Sequence, residues 1–178
     1  VMDFFELIAS RESCRDYADR PVEKEKLLKC LEAARIAPSA CNSQPWSYTL
    51  VTRPELLPPV AKALQDMGMN KFADKAPAFF VVTEEKANLS ATVGARLKSQ
   101  EYASVDIGIS VSYLTLAATA QGLSTCIIGW FDENKLKELL DIPGAKRIRL
   151  VVAIGYAAGD KLRTKKRKEL RGISRILE

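Results

Sequence analysis

With 178 residues, the chain is sized for one ordinary domain, or for half of an assembly completed by a partner subunit. Its 47% hydrophobic and 28% charged content belongs to chains that bury a packed core rather than stay disordered. It holds no histidine, which excludes Ser-His-Asp and Cys-His catalysis, His-ligated zinc or haem and any imidazole acid–base pair. The formal charge of +5 is local, because residues 161–178 carry eight Lys and Arg against Glu169 and Glu178. A bound anion is therefore the expected partner of that segment, ahead of nucleic acid.

In chain order, Asp3 to Ser10 reads as a short amphipathic helix with Phe4, Phe5, Leu7 and Ile8 on its apolar side. A second helix is expected from about Glu23, with Leu27, Leu28, Leu31, Ala34 and Ile36 at helical spacing and Pro38 as its stop. Ser39 to Pro45 reads as a loop, and Trp46 to Val51 as a half-buried strand with Trp46 in the core. Pro54 is placed to open a helix through Leu56, Leu57, Val60, Ala61 and Leu64. Ala78 to Val82 is an apolar run of strand length and predicts a central strand.

The polar stretch Glu84 to Gln100 is open between a mobile segment and a short helix over a site. A long helix is expected from about Tyr102 to Gln121, ended by Gly122. Its small residues, among them Gly108, Ser110, Ser112 and Ala118, suit the close approach of another helix and a buried dimer interface; Asp106 is expected as an interface or capping acid. Five polar residues in its apolar part argue for a buried helix rather than a bilayer span. Cys126 to Gly129 is a short apolar segment, Asp132 caps a further helix, and Arg147 to Ile154 predicts the last buried strand, ended by Gly155. No repeat or long linker divides the chain, so residues 1–178 read as one domain.

Cys14, Cys30, Cys41 and Cys126 form no C-x-x-C pair, so neither a zinc nor an iron–sulfur site is expected, and a reducing cytoplasmic setting is the default. The glycines contain neither G-x-G-x-x-G nor G-x-x-x-x-G-K-[ST]. A phosphorylated ligand would have to be met by guanidinium and ammonium groups, with Arg11, Arg15, Lys165 and Arg167 as candidates. Each feature also has a plainer reading. An isolated R-x-S-x-R is commonly a solvated turn, Pro38 to Trp46 a helix stop and strand entry, and a basic run a solvated tail.

Taken together and in order, the motifs change that balance. Arg11-x-Ser13-x-Arg15, the block Ala37-Pro38-Ser39-Ala40-Cys41-Asn42-Ser43-Gln44-Pro45-Trp46, Asp106-x-Gly108 near the start of a long helix ending in Gly122-Leu123, and a basic C-terminal Lys165-x-Arg167 resemble the FMN-dependent nitroreductase family over nearly the whole chain. The resemblance implies an α+β fold with a mainly antiparallel sheet flanked by helices, although alternating helices and strands alone would suggest a parallel sheet. It also implies a homodimer with C-terminal arm exchange, the arm lying within residues after Gly159, and FMN bound between subunits. By position, Arg11, Ser13 and Arg15 of one subunit would contact the phosphate, ribityl chain and pyrimidine edge, and Pro38, Ser39, Ala40 and Asn42 would come from the other. Ile128 and Gly129 would lie near the flavin N5, and Lys165 and Arg167 would grip the phosphate.

The implied activity is reduction of nitroaromatic, quinone or related acceptors by NAD(P)H in a ping-pong cycle. The cofactor supplies the redox chemistry, so no catalytic side chain and no metal is assigned, and the missing histidine fits. Reductive dehalogenation or ene reduction on the same scaffold, or a non-catalytic flavin- or nucleic-acid-binding module, are the alternatives. Glu12 departs from the family pattern, since members commonly have a basic or neutral residue there and an acid between Arg11 and Ser13 weakens phosphate binding unless it points outward.

Overall fold

The computed structural model describes residues 3–160 and 162–178, so Lys161 of the basic run lies outside the described residues. Four strands, β1 (Trp46–Val51), β2 (Ala78–Glu84), β3 (Ser124–Ile128) and β4 (Arg147–Gly155), pair in the order β1-β2-β4-β3. Every pair is antiparallel, with Phe80 opposite Val152 and Cys126 opposite Ala153. This is the expected α+β sheet.

Both faces of the sheet are covered, which is why β2 and β4 read as continuous apolar runs. Phe79, Val81, Val151 and Ala153 face one cluster, with Val60, Ala61 and Leu64 of α3 (Leu57–Leu64) and Leu136 of α6 (Glu133–Leu139). Phe80, Val82, Val152 and Ile154 face the other, with Leu27, Cys30 and Ala34 of α2 (Lys24–Arg35) and Ile107, Val111, Leu114 and Ala118 of α5 (Tyr102–Ala120). Alternate side chains point to opposite faces, so one strand supplies both cores.

By length and composition α5 could cross a membrane. Here it lies on the sheet with Asp106, Ile107, Ser110, Val111, Leu114, Thr115 and Ala118 buried. The Ser110 hydroxyl donates to the Ala34 carbonyl at 2.9 Å and sits 2.6 Å from the Tyr48 hydroxyl. Ser110 and Ala118 are thus spent within the chain, on the approach of α2, whereas Gly108 and Ser112 stay exposed.

Two local expectations shift, at the third helix and at α1, and one open reading, of residues 84–100, is resolved. The third helix begins at Leu57 with Pro58 in its first turn, because Arg53 to Leu56 forms a hydrogen-bonded turn first. The polar stretch 84–100 holds a helix, α4 (Leu89–Lys98), capped by the Asn88 side chain accepting from Ala91 N–H at 2.9 Å. In α1 (Phe4–Ser10) no residue is buried, and Phe4, Phe5 and Ile8 stand exposed. Trp46 is partly buried against the core, as expected. Gly122 ends α5 at φ +75°, a conformation suited to glycine.

Residues 11–18 thread beside the sheet. Ser13 pairs in parallel with Thr125 of β3, Cys14 N–H donates to the Thr125 carbonyl at 2.8 Å, and Tyr17 bridges Ala157 just beyond β4. The buried Tyr17 hydroxyl donates to Ala153 and Cys14 carbonyls, each at 3.2 Å. Gly155 leaves room for this strip: a Cβ there would stand 2.7 Å from Pro77 and 2.9 Å from Tyr17. Its glycine is required by close approach, not by its φ.

Candidate functional site

The strip places Arg11, Ser13 and Arg15 on the outer side of β3. The C-terminal segment returns over it. Arg163 N–H donates to Glu12 Oε2 at 3.1 Å, the Arg163 guanidinium bonds the Ser13 carbonyl, and Lys165 Nζ bonds the Ala9 carbonyl. A tail contacting 12–13 through residue 163 and 9 through residue 165 runs antiparallel to the strip.

Between the two lies a cleft of about 330 Å³, lined by residues 11–13 and 15 and by residues 163–167. Its charges are Arg11, Arg15, Arg163, Lys165, Lys166 and Arg167 against one carboxylate, Glu12. Removal from water lowers the Lys165 pKa first, and the neighbouring charges of Arg11 and Arg167 lower it further. A phosphate monoester, with three acceptor oxygens and up to two charges, matches cationic donors gathered this closely. These residues therefore fit the phosphate end of FMN.

The Pro38 to Asn42 block lies elsewhere. A one-turn helix at Ala40–Asn42 puts Cys41, Asn42 and Gln44 at φ +51°, +50° and +48°. That rarely populated conformation is over-determined by its bonds. Ser39 Oγ accepts from Gln44 N–H at 2.9 Å, Gln44 Nε2 donates to Asn42 Oδ1 at 3.1 Å, and Asn88 Nδ2 donates to the Cys41 carbonyl at 2.9 Å. Ala40 N–H donates to Asp106 Oδ2 at 3.1 Å, so Asp106, which is 5% exposed, ties the turn to α5 rather than capping a helix. Pro38 and Asn42 are exposed, Ser39 and Ala40 partly so, and none lines the cationic cleft. Ile128 is buried at the end of β3 and Gly129 is exposed just beyond it; neither lines the cleft.

One chain thus brings together Arg11, Ser13, Arg15, Lys165 and Arg167, and holds Pro38, Ser39, Ala40 and Asn42 rigidly apart. Arg163 and Asp106 were not assigned these roles by the sequence. The signal for Arg163 is its spacing of two from Lys165 and four from Arg167, which on extended chain sets all three to one side. Among the described residues no cluster of three or more metal-ligating side chains occurs.

A family model described as the nitroreductase family matches residues 8–156. The chain belongs to the nitroreductase family. Among its relatives, the NADH dehydrogenase of Thermus thermophilus is 28% identical over 89% of this chain and 88% of its own. The iodotyrosine deiodinase of Drosophila melanogaster is 23% identical over 85% of this chain and 61% of its own. Among solved structures, the FMN-dependent nitroreductase of Clostridium difficile is 27% identical, with a TM-score of 0.74 over 89% of this chain and 90% of that one. Family and relatives support an oxidoreductase on a nitroreductase-like fold.

Proposed function

We propose that the protein is an FMN-dependent oxidoreductase that uses NADH or NADPH to reduce nitroaromatics, quinones or related acceptors. The observation that carries this reading is the convergence of Arg11, Arg15, Lys165 and Arg167 on one cleft from opposite ends of the chain. FMN, when bound, supplies the ring that takes up a hydride and passes electrons on. The chain's own part is binding and orientation: Arg11, Lys165 and Arg167 hold the phosphate, Ser13 offers a hydroxyl to the ribityl chain, and Arg15 sets a cation toward the pyrimidine edge. Ile128 and Gly129 contribute backbone beside the ring.

The separation of the Ser39–Asn42 turn from the cleft favours a homodimer in which a second copy supplies Pro38, Ser39, Ala40 and Asn42. The exposed Ile173, Ile176 and Leu177 of the tail make it the arm laid on that partner. We read the whole chain as one cytoplasmic domain. Donor and acceptor then visit the same open side of the ring in turn, a ping-pong cycle that needs no side-chain acid or base.

Purification followed by an absorbance scan tests this. A yellow protein whose flavin band bleaches on anaerobic addition of NADH or NADPH, and returns with a nitroaromatic or quinone, is expected. Colourless protein that takes up no added FMN would refute the reading. The deiodinase relative gives a second reading, reductive dehalogenation at the same site. It predicts halide release from a halophenol by the reduced protein.

A further inference from the structure

The acid at position 12 stands where it should repel a phosphate, and the structure shows how it is engaged. Glu12 has a side chain only 18% exposed, and its carboxylate accepts the Arg163 backbone N–H at 3.1 Å while lying 3.6 Å from the Arg163 guanidinium. Arg163 reaches on to the Ser13 carbonyl, so one residue of the tail is fixed to the strip through its backbone and its side chain. Two and four residues later come Lys165 and Arg167, both lining the cleft. The Lys165 ammonium makes a further tie, to the Ala9 carbonyl, but among the described residues Glu12–Arg163 is the ion pair that joins residues 162–167 to the body of the chain. Apart from the partly buried Lys165, residues 162–167 are exposed, and they follow no sheet register.

We propose that Glu12 is a positioning residue for the anion site, a clasp that gives up its own charge to Arg163 and thereby holds Lys165 and Arg167 opposite Arg11 and Arg15. The proposal rests on the reading that the cleft takes the FMN phosphate. It goes beyond that reading by assigning a role to the one carboxylate in the cleft. An anchored cation loses less freedom on meeting phosphate than one on a loose tail, and preorganisation of this kind appears as affinity.

The two views of Glu12 predict opposite signs. As a plain repulsive charge, its removal tightens FMN binding. As a clasp, its removal weakens it. Measured by quenching of flavin fluorescence, Glu12→Gln should weaken FMN about 5-fold and Glu12→Ala about 10-fold or more, because glutamine keeps an acceptor for Arg163 N–H and alanine keeps nothing; riboflavin, which has no phosphate, should bind equally to all three proteins. In cofactor-free protein, trypsin should cut after residues 163–168 several-fold faster in both variants than in the parent, with far-UV circular dichroism unchanged. Tighter or unchanged FMN binding, or equal cleavage rates, overturns the clasp. If the parent protein binds no FMN, the flavin reading fails by itself, and the cleavage rates still decide whether Glu12 holds the tail.

Discussion

Arg11 and Arg15 reach the cleft from the strip beside β3, and a charge-assisted contact contributes about 1.5–3 kcal/mol. Arg11→Ala and Arg15→Ala should each weaken FMN binding by about 10- to 100-fold by titration; unchanged affinity in both would remove them from the site. Lys165 carries a different signature. Its pKa lies below the ordinary lysine range because of desolvation and then of Arg11 and Arg167. A lysine holds phosphate only while protonated, so FMN affinity should fall as pH rises through that lowered value, earlier than for an ordinary lysine. Lys165→Arg should move the loss to higher pH, and an identical pH profile in the variant would exclude Lys165 as the titrating group.

Burial raises the Cys14 and Cys126 pKa values and takes that of Cys30 to about 11, while Cys41 is exposed. Since the thiolate is the reactive form, one fast thiol per cofactor-free chain is expected with Ellman's reagent, and four after denaturation. Two fast thiols would show that the strip opens readily.

The elements were largely legible because their periodicities differ. Trp46–Val51 was read at its true bounds, and the apolar run at Ala78–Val82 extends only to Glu84. What the pattern could not give was pairing direction. Short runs alternating with helices suggest a parallel sheet on local grounds, and the antiparallel order entered through family resemblance, since direction is decided by which strands meet. The opening of α3 was misplaced because a proline begins a turn as readily as a helix.

Contacts between distant segments were the least visible. Gly155 was read as a strand end, and only the packed structure shows Tyr17 and Pro77 against it. Gly155→Ala should overpack this joint at a cost of about 1–3 kcal/mol, lowering Tm by about 2–4 °C for each kcal/mol; an unchanged Tm in a thermal melt would mean that Pro77 and Tyr17 yield freely. Asp106 was noticed as an acid near a helix start, but its partner, Ala40 N–H, lies 66 residues away. Asp106→Ala strands that amide and should cost about 1–3 kcal/mol in chemical unfolding, with looser binding of FMN as the Ser39–Asn42 turn relaxes.

For the molecule as a whole, the cationic part of the candidate site was legible, and under the dimer proposal the rest depends on assembly. The motifs pointed to Arg11, Ser13, Arg15, Lys165 and Arg167, and one chain gathers these at the cationic cleft. The Ser39–Asn42 turn stays apart, rigid and partly exposed, as the contribution to a second copy would require. Light scattering should therefore give twice the mass of one chain. Truncation after Lys168, which removes Ile173, Ile176 and Leu177 but spares Lys165 and Arg167, should weaken the dimer while the isolated phosphate cleft keeps its residues. A monomer that binds FMN as well as the full chain would refute assembly of the site from two subunits.

The tail lies over a strip that is itself already paired with β3 and the end of β4. A chain ending before residue 163 would therefore keep the strands and helices of both cores while losing every C-terminal cation of the cleft. Under the proposed function such a shortened chain should purify folded but colourless, its fold and its hold on the cofactor having been separated by the loss of its last residues.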